Sequence, residues 1–330
     1  MTRFSKIFAL SIALLFFAVL TSCSPNADTL FVQGYKYYEG IDVPVNKPKA
    51  VECMQKAAEM GHPKAQFFLA FCYYHGEGID KDMKEAVKWF RKSAEQGYVD
   101  AQYSLGVCYD KGDGVDKDAA EAVKWFRKAS EQDLAIAQYN LGVCYFFGNG
   151  VDKDVAEAVK WYRKAAEQGY IIAQYNLALC YAKGDGVEKN MEKAVKWFRK
   201  AAERGDAKAQ FNLALCYVNG DGVEKDMSEA VKWYRQAAEQ GDTKAQFNLA
   251  LCYVNGDGVE KDLSEAVKWY RKAAEQGDAN AQFNLALCYA NGDGVKKDLS
   301  EAVKWYRKAA EQGTEQAIDT LKELGEWNDD

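Results

Sequence analysis

Histidine, proline and paired cysteines are scarce or missing in this 330-residue chain. Only His62 and His75 are present, which leaves little for imidazole-based metal binding or acid-base catalysis. Four prolines leave long helices unbroken. The chain contains no Cys-x-x-Cys, His-Glu-x-x-His, Ser-x-x-Lys, Gly-x-Ser-x-Gly or phosphate-cradling glycine loop, so the familiar zinc, nucleophile and nucleotide patterns are missing. A formal charge of -6, from 43 basic and 49 acidic residues, argues against nucleic acid as a partner. Loops such as residues 112–118 mix Asp with Gly turns as calcium loops do. Each carries a lysine, however, and none has the closing Glu of an EF-hand ligand set. The expectation is a protein without catalytic residues, metal or cofactor.

What is present begins with a distinctive amino-terminal segment. Arg3 and Lys6 precede an apolar run over residues 7–20, followed by Thr21, Ser22 and Cys23. The run falls short of the roughly 20 residues of a spanning helix, and the pattern predicts an export signal. Leu20-Thr21-Ser22-Cys23 resembles the lipobox of bacterial lipoproteins. That resemblance implies a cleaved signal peptide over residues 1–22, acylation of Cys23 with palmitate-type chains, and a short tether over residues 23–28. Several acyl chains hold a protein on a membrane where one binds marginally. Ser24 after the cysteine is similar to the sorting pattern for the outer membrane, so the expected location is the bacterial cell envelope, lipid-anchored and facing the periplasm. The alternative is an ordinary secretory signal with a chance cysteine.

The rest of the chain is a repeat. Cys72, Cys108, Cys144, Cys180, Cys216, Cys252 and Cys288 are 36 residues apart, and so are Trp89, Trp125, Trp161, Trp197, Trp233, Trp269 and Trp305. Seven full units run over residues 65–316. A degenerate unit over residues 29–64 precedes them, with Tyr37, Gly40, Ala50 and Gly61 in register and Cys53 in place of the tryptophan. A polar half unit, residues 317–330, follows, as expected of a solenoid cap.

Within one unit Ala245, Leu249, Cys252 and Tyr253 form one face of a first helix, A. Gly256 and Gly258 interrupt it. Asp262 or Ser264 can cap a second helix, B, whose apolar stripe is Leu263, Ala266, Val267, Trp269, Tyr270, Ala273 and Ala274. Gly277 provides a left-handed residue at its end. One helix pair cannot bury such stripes alone, so neighbouring pairs must stack. The predicted fold is an all-α solenoid of helix-turn-helix units.

Three elements, Leu-(Gly/Ala)-x-x-Tyr-x-x-Gly-x-Gly-Val, Ala-x-x-Trp-(Tyr/Phe) and Ala-Ala-Glu-x-Gly, resemble those of the Sel1-like repeat, a relative of the tetratricopeptide repeat. The resemblance implies a right-handed superhelix and a role in binding proteins. It departs from the pattern at Asp133, which stands where other units end helix B with Gly, and a bend or fraying is expected there because Asp is a poorer left-handed residue.

The cysteine ladder, one thiol per unit at equivalent positions, predicts buried structural thiols. Equivalent atoms roughly 8–10 Å apart are too distant for bridging. Cys53 and Cys72 differ, since both stand nine or ten residues from the turn at His62-Pro63. They could form a disulfide that staples the first unit. The tryptophans and Tyr73 to Tyr289 are expected in the core.

On a helical wheel Phe247, Leu251, Val254 and Asn255 share another face of helix A, joined by Lys244. By resemblance to tetratricopeptide arrays this face lines a concave groove. The later units are near copies there. Earlier ones carry Phe67, Phe71, Tyr74 and His75, then Tyr103, Asp110 and Lys111, then Ile136, Tyr139, Phe146 and Phe147, with Lys183 at the place of Phe147 in the fourth. Adjacent Phe146 and Phe147 cannot both be buried easily on one helix face. An aromatic groove supplies hot spots for a protein or peptide, and Asn219, Asn255 and Asn291 could hydrogen-bond its backbone. Against this stands plain packing between units. The expected function is a membrane-anchored, non-catalytic scaffold; the alternatives are a passive spacer or a β-lactam-binding or weakly hydrolytic protein. The last rests on cysteine-rich Sel1-like proteins, which carry paired cysteines per unit where this chain has one.

Overall fold

The computed structural model describes residues 26–326, and every regular element among them is a helix. Cys23 and its lipobox lie outside the described residues. The chain divides into two compact units, Met1–Lys117 and Asp118–Asp330. The first holds α1 (Ala27–Glu39), α2 (Lys47–Glu59), α3 (Pro63–His75), α4 (Met83–Glu95) and α5 (Val99–Lys111). The second holds α6 (Ala119–Glu131), α7 (Ala135–Phe147), α8 (Val155–Glu167), α9 (Ile171–Lys183), α10 (Met191–Glu203), α11 (Ala207–Asn219), α12 (Met227–Glu239), α13 (Thr243–Asn255), α14 (Leu263–Glu275), α15 (Ala279–Asn291), α16 (Leu299–Glu311) and α17 (Glu315–Glu323). Odd-numbered helices are A helices and even-numbered ones are B helices. Within each unit the helices follow the right-handed α-solenoid architecture of paired helices with a 36-residue period.

Local sequence sets the helix limits. Each B helix starts on Asp or Asn, whose side chain accepts from a backbone N–H of the first turn. In α14 it is Asp262, not Ser264, that does so, through Glu265 N at 3.0 Å. The A helices before α17 stop at a left-handed glycine: Gly256 has φ +81° and donates its N–H to the Cys252 carbonyl at 2.8 Å. The α6–α7 junction departs from expectation. Asp133 takes a left-handed φ of 60°, yet α6 keeps the 13 residues of its neighbours. Short polar side chains visit this region, and Asp133 Oδ1 accepts from Gln138 Nε2 at 3.2 Å.

The apolar stripes pack as their spacing requires. Leu249, Ala245, Cys252, Tyr253, Val267, Trp269 and Tyr270 are all buried in one continuous core of the second unit, and each large side chain contributes about 1.5–3 kcal/mol. A lysine three residues after most tryptophans lies over the indole, as Lys272 over Trp269 at 3.9 Å. Trp233 has Gln236 at that place. Cys53 and Cys72 are both free, buried thiols, so the expected staple is not formed. A helix fixes the direction of a side chain as well as its height. Cys53 turns its Cβ toward Gly34 of α1, whereas Cys72 lies near Glu77 and Lys47.

Two further contacts tie one repeat to the next. The second glycine of each Gly-x-Gly loop lies against the first residue of the preceding B helix, where a Cβ would strike backbone: Gly114 on Met83, Gly258 on Met227, Gly294 on Leu263. The other contact is polar and buried. Gln246 donates Nε2 to the Ala238 carbonyl at 3.1 Å, and its Oε1 accepts from Gln276 at 2.8 Å. Gln66, Gln138, Gln210 and Gln282 repeat the arrangement with Gln96, Gln168, Gln240 and Gln312. At Gln174 it fails, because residue 204 is arginine and turns to the Gly169 carbonyl instead. Gln174 Oε1 is thereby buried without a partner. Arg204→Gln is expected to supply the missing donor and stabilise the fold by about 1 kcal/mol. Calorimetry should show a higher Tm, and Gln240→Arg should produce the opposite shift; a neutral Arg204→Gln would refute the account.

Candidate functional site

On the A helices the face turned away from the buried stripe is half-buried to exposed. In each of six repeats the aromatic residue near the start of helix A leans on an aromatic of its own B helix. The pairs are Phe67 on Phe90, Tyr139 on Tyr162, Tyr175 on Phe198, Phe211 on Tyr234, Phe247 on Tyr270 and Phe283 on Tyr306, with centroids 5.6–6.0 Å apart. This position is a half-buried wedge. It holds the two helices together and shows one ring edge to solvent.

In the first unit Phe67 also meets Tyr98 at 5.2 Å. Tyr98 precedes α5 where α11, α13 and α15 have a capping Asp, and it makes no side-chain cap. Phe71 lies against His75 at 4.3 Å. Tyr74 donates its hydroxyl to Asp113 at 2.6 Å, and this bond, with burial, pushes its pKa up to about 12. Tyr103 is half-buried, while His75, Asp110 and Lys111 are exposed at the ends of α3 and α5. Asp100 was not singled out from the sequence. Burial raises its carboxyl pKa, against the pull of the Tyr98 hydroxyl and of Lys64.

In the second unit Tyr139 meets Tyr170 in a tilted contact at 5.3 Å and accepts from Asn176 at 3.2 Å. Phe146 packs against Tyr162 at 6.3 Å, and Phe147, in contact with Phe146 at 5.1 Å, remains 64% exposed. One of the two adjacent phenylalanines thus goes in and the other stays out. Lys183 is exposed at the same position of α9, and Ile172 is an exposed apolar side chain at the opposite end of that helix. Asn219, Asn255 and Asn291 each donate to the loop aspartate two residues on, at 3.1–3.2 Å. One N–H of each amide is therefore engaged within its own loop.

Among the described residues, no cluster of His, Cys, Asp and Glu could hold a metal ion. No helix there is long and apolar enough to cross a membrane. Burial pushes Cys72 and Cys108 up to about 12 and Cys180, Cys216, Cys252 and Cys288 up to about 11, the opposite of an activated thiol.

The Sel1 repeat model matches residues 34–62, 63–98, 99–134, 135–170, 171–206, 207–242, 243–278 and 279–314. The chain belongs to the Sel1-repeat family, and its degenerate first unit counts as a repeat. Among solved structures it is similar to c5321, a protective antigen present in uropathogenic Escherichia coli strains. That match has 40% identity and a TM-score of 0.88, over 91% of this chain and 64% of that one. This chain therefore spans less than two thirds of that relative. A Sel1 repeat protein from Oxalobacter formigenes matches at 36% identity with a TM-score of 0.70, over 90% of this chain and 86% of the other. No curated protein matches. The fold is thus a Sel1-repeat solenoid, a scaffold of the kind used for protein-protein interaction.

Proposed function

We propose that this protein binds a protein or peptide on the A-helix face, and that acylation of Cys23 holds it on a membrane of the bacterial envelope, at the outer membrane facing the periplasm. The observation that carries the reading is the exposure of Phe147 beside the half-buried Phe146. A solitary apolar ring on a surface needs no explanation. Here, however, it continues a strip through Phe146 to Tyr139, on a helix whose later counterparts carry Lys or Asn at its position. Aromatic side chains with one face packed lose little entropy on contact and make effective anchors. In the first unit Phe71, Tyr74, His75, Asp110 and Lys111 offer a mixed aromatic and charged surface, and Phe67 and Tyr103 support it.

A photo-crosslinker at Phe147 in the source cell, with one at Lys183 for comparison, tests the reading by mass spectrometry. A discrete protein adduct at Phe147, weaker or missing at Lys183, is the expected result. Lack of an adduct at either position would leave a passive spacer as the better account. The lipid anchor has its own test, since Cys23→Ser should release the protein from the membrane fraction.

A further inference from the structure

Seven Gly-x-Gly turns rest their second glycine on the start of the preceding B helix, as Gly114 does on Met83 and Gly150 on Ala119. Six of them carry an acid between the glycines: Glu77, Asp113, Asp185, Asp221, Asp257 and Asp293. The third carries an amide, Asn149. That exception places an asparagine directly before a glycine. An Asn-Gly step is chemically distinctive, because the glycine nitrogen approaches the side-chain amide carbon with no Cβ in its way. Three other such steps occur in the chain: Asn219-Gly220, Asn255-Gly256 and Asn291-Gly292.

The fold treats the four differently. Asn219, Asn255 and Asn291 are the last residues of α11, α13 and α15, and a helix tilts each side chain back toward its N-terminus, away from the next residue's nitrogen. The glycine nitrogens that follow them donate to the carbonyls of Cys216, Cys252 and Cys288 at 2.8–2.9 Å. Their side-chain amides donate to Asp221, Asp257 and Asp293 at 3.1–3.2 Å. Asn149 lies beyond the end of α7 and is exposed. Its own N–H donates to the Cys144 carbonyl at 3.0 Å. Among the described residues, neither its side chain nor the Gly150 N–H has a hydrogen-bond partner.

From this contrast we infer that Asn149 is a site of spontaneous deamidation, alone among the four Asn-Gly steps of the folded chain. The Gly150 nitrogen gives its proton to hydroxide and bonds to Asn149 Cγ. The Cγ–Nδ2 bond breaks, ammonia leaves, and a cyclic succinimide remains. Water then opens the ring at either carbonyl, so the balance is one water consumed and one ammonia released. Breaking the new Cγ–nitrogen bond leaves aspartate, which gives the third turn the acid that the other six carry. Breaking the original peptide bond leaves isoaspartate, with the main chain running through Cγ and one methylene longer. Gly150 has no room for that displacement, since even a Cβ there would stand 2.1 Å from the Ala119 carbonyl oxygen. The isoaspartyl turn therefore leaves its seat on α6, next to the exposed ring of Phe147. The reaction is independent of what binds the A-helix face.

Incubation of the full chain at neutral pH, folded and in urea, followed by fragmentation mass spectrometry of its peptides, tests the assignment. In urea all four asparagines should gain the mass of an amide-to-acid exchange at similar rates. In the folded chain Asn149 should react about tenfold or more faster than Asn219, Asn255 and Asn291, whose hydrogen bonds must break first. The isoaspartyl fraction should melt at a lower Tm than fresh protein, and Asn149→Asp should keep its Tm on ageing. Equal rates at the four positions in the folded chain, protection of Asn149 as complete as that of the other three, or a contrast already present in urea would each overturn the assignment.

Discussion

Gly258→Ala should destabilise the second unit by about 3 kcal/mol or more, and Gly241→Ala by only about 1 kcal/mol. Both residues are left-handed, with φ of +69° and +93°, so alanine at either carries the same backbone penalty of about 1–2 kcal/mol. Reduced freedom of the unfolded chain offsets part of it. The difference lies in what an added methyl meets. At Gly241 nothing lies within 4 Å, whereas at Gly258 the methyl runs into the Met227 carbonyl and the Ser228 nitrogen. Those are backbone atoms that cannot move aside as a flexible side chain would, and overpacking of this kind adds about 1–3 kcal/mol. Because a solenoid is held by nearest-neighbour interfaces, Gly258→Ala should also broaden the urea transition and lower its m-value. Gly241→Ala should shift the midpoint alone. Equal losses at the two positions would show that the loop seat does not couple repeats.

The contrast between these glycines also marks how far the sequence could be read. The 36-residue spacing of cysteine and tryptophan gave the repeat, and the i, i+4, i+7 pattern gave the buried face of helix A, because burial follows directly from periodicity. Contacts that depend on which neighbour lies opposite were not legible. The wheel placed Phe247 on an open face, but the ring is wedged on Tyr270. Counting from the turn put Cys53 and Cys72 at one height and said nothing of their direction. The buried Gln66 and its counterparts went unnoticed, although one signal was available: a polar residue recurring every 36 positions, as at Gln246 and Gln282, beside an alanine of the buried stripe. Hydrophobicity alone assigns such a residue to the surface, yet its two amide ends are what hold three helices at fixed spacing.

Mildly alkaline solution should strongly destabilise the second unit. Cys180, Cys216, Cys252 and Cys288 are buried, and burial raises their pKa from 9.0 to about 11. A folded-state pKa above the unfolded value means that the native chain retains protons which the unfolded chain releases. The stability this contributes is complete below pH 9 and is lost as pH rises toward 11. The slope is about 1.4 kcal/mol per pH unit for each thiol. By pH 10 each of the four has withdrawn about 1 kcal/mol, so the unit loses roughly 4 kcal/mol. That is a large part of an ordinary domain stability of 5–15 kcal/mol. The tyrosines Tyr162, Tyr234 and Tyr270, raised by burial as well, act in the same direction at higher pH. Urea midpoints followed by tryptophan fluorescence from pH 8 to pH 10.5 should therefore fall steeply. Cys216→Ala with Cys252→Ala should lower stability at pH 8 but flatten the fall by about two protons' worth of slope. An unchanged slope in the double variant would mean that the thiols do not govern the alkaline limit, and that the tyrosines and the lysine ion pairs do.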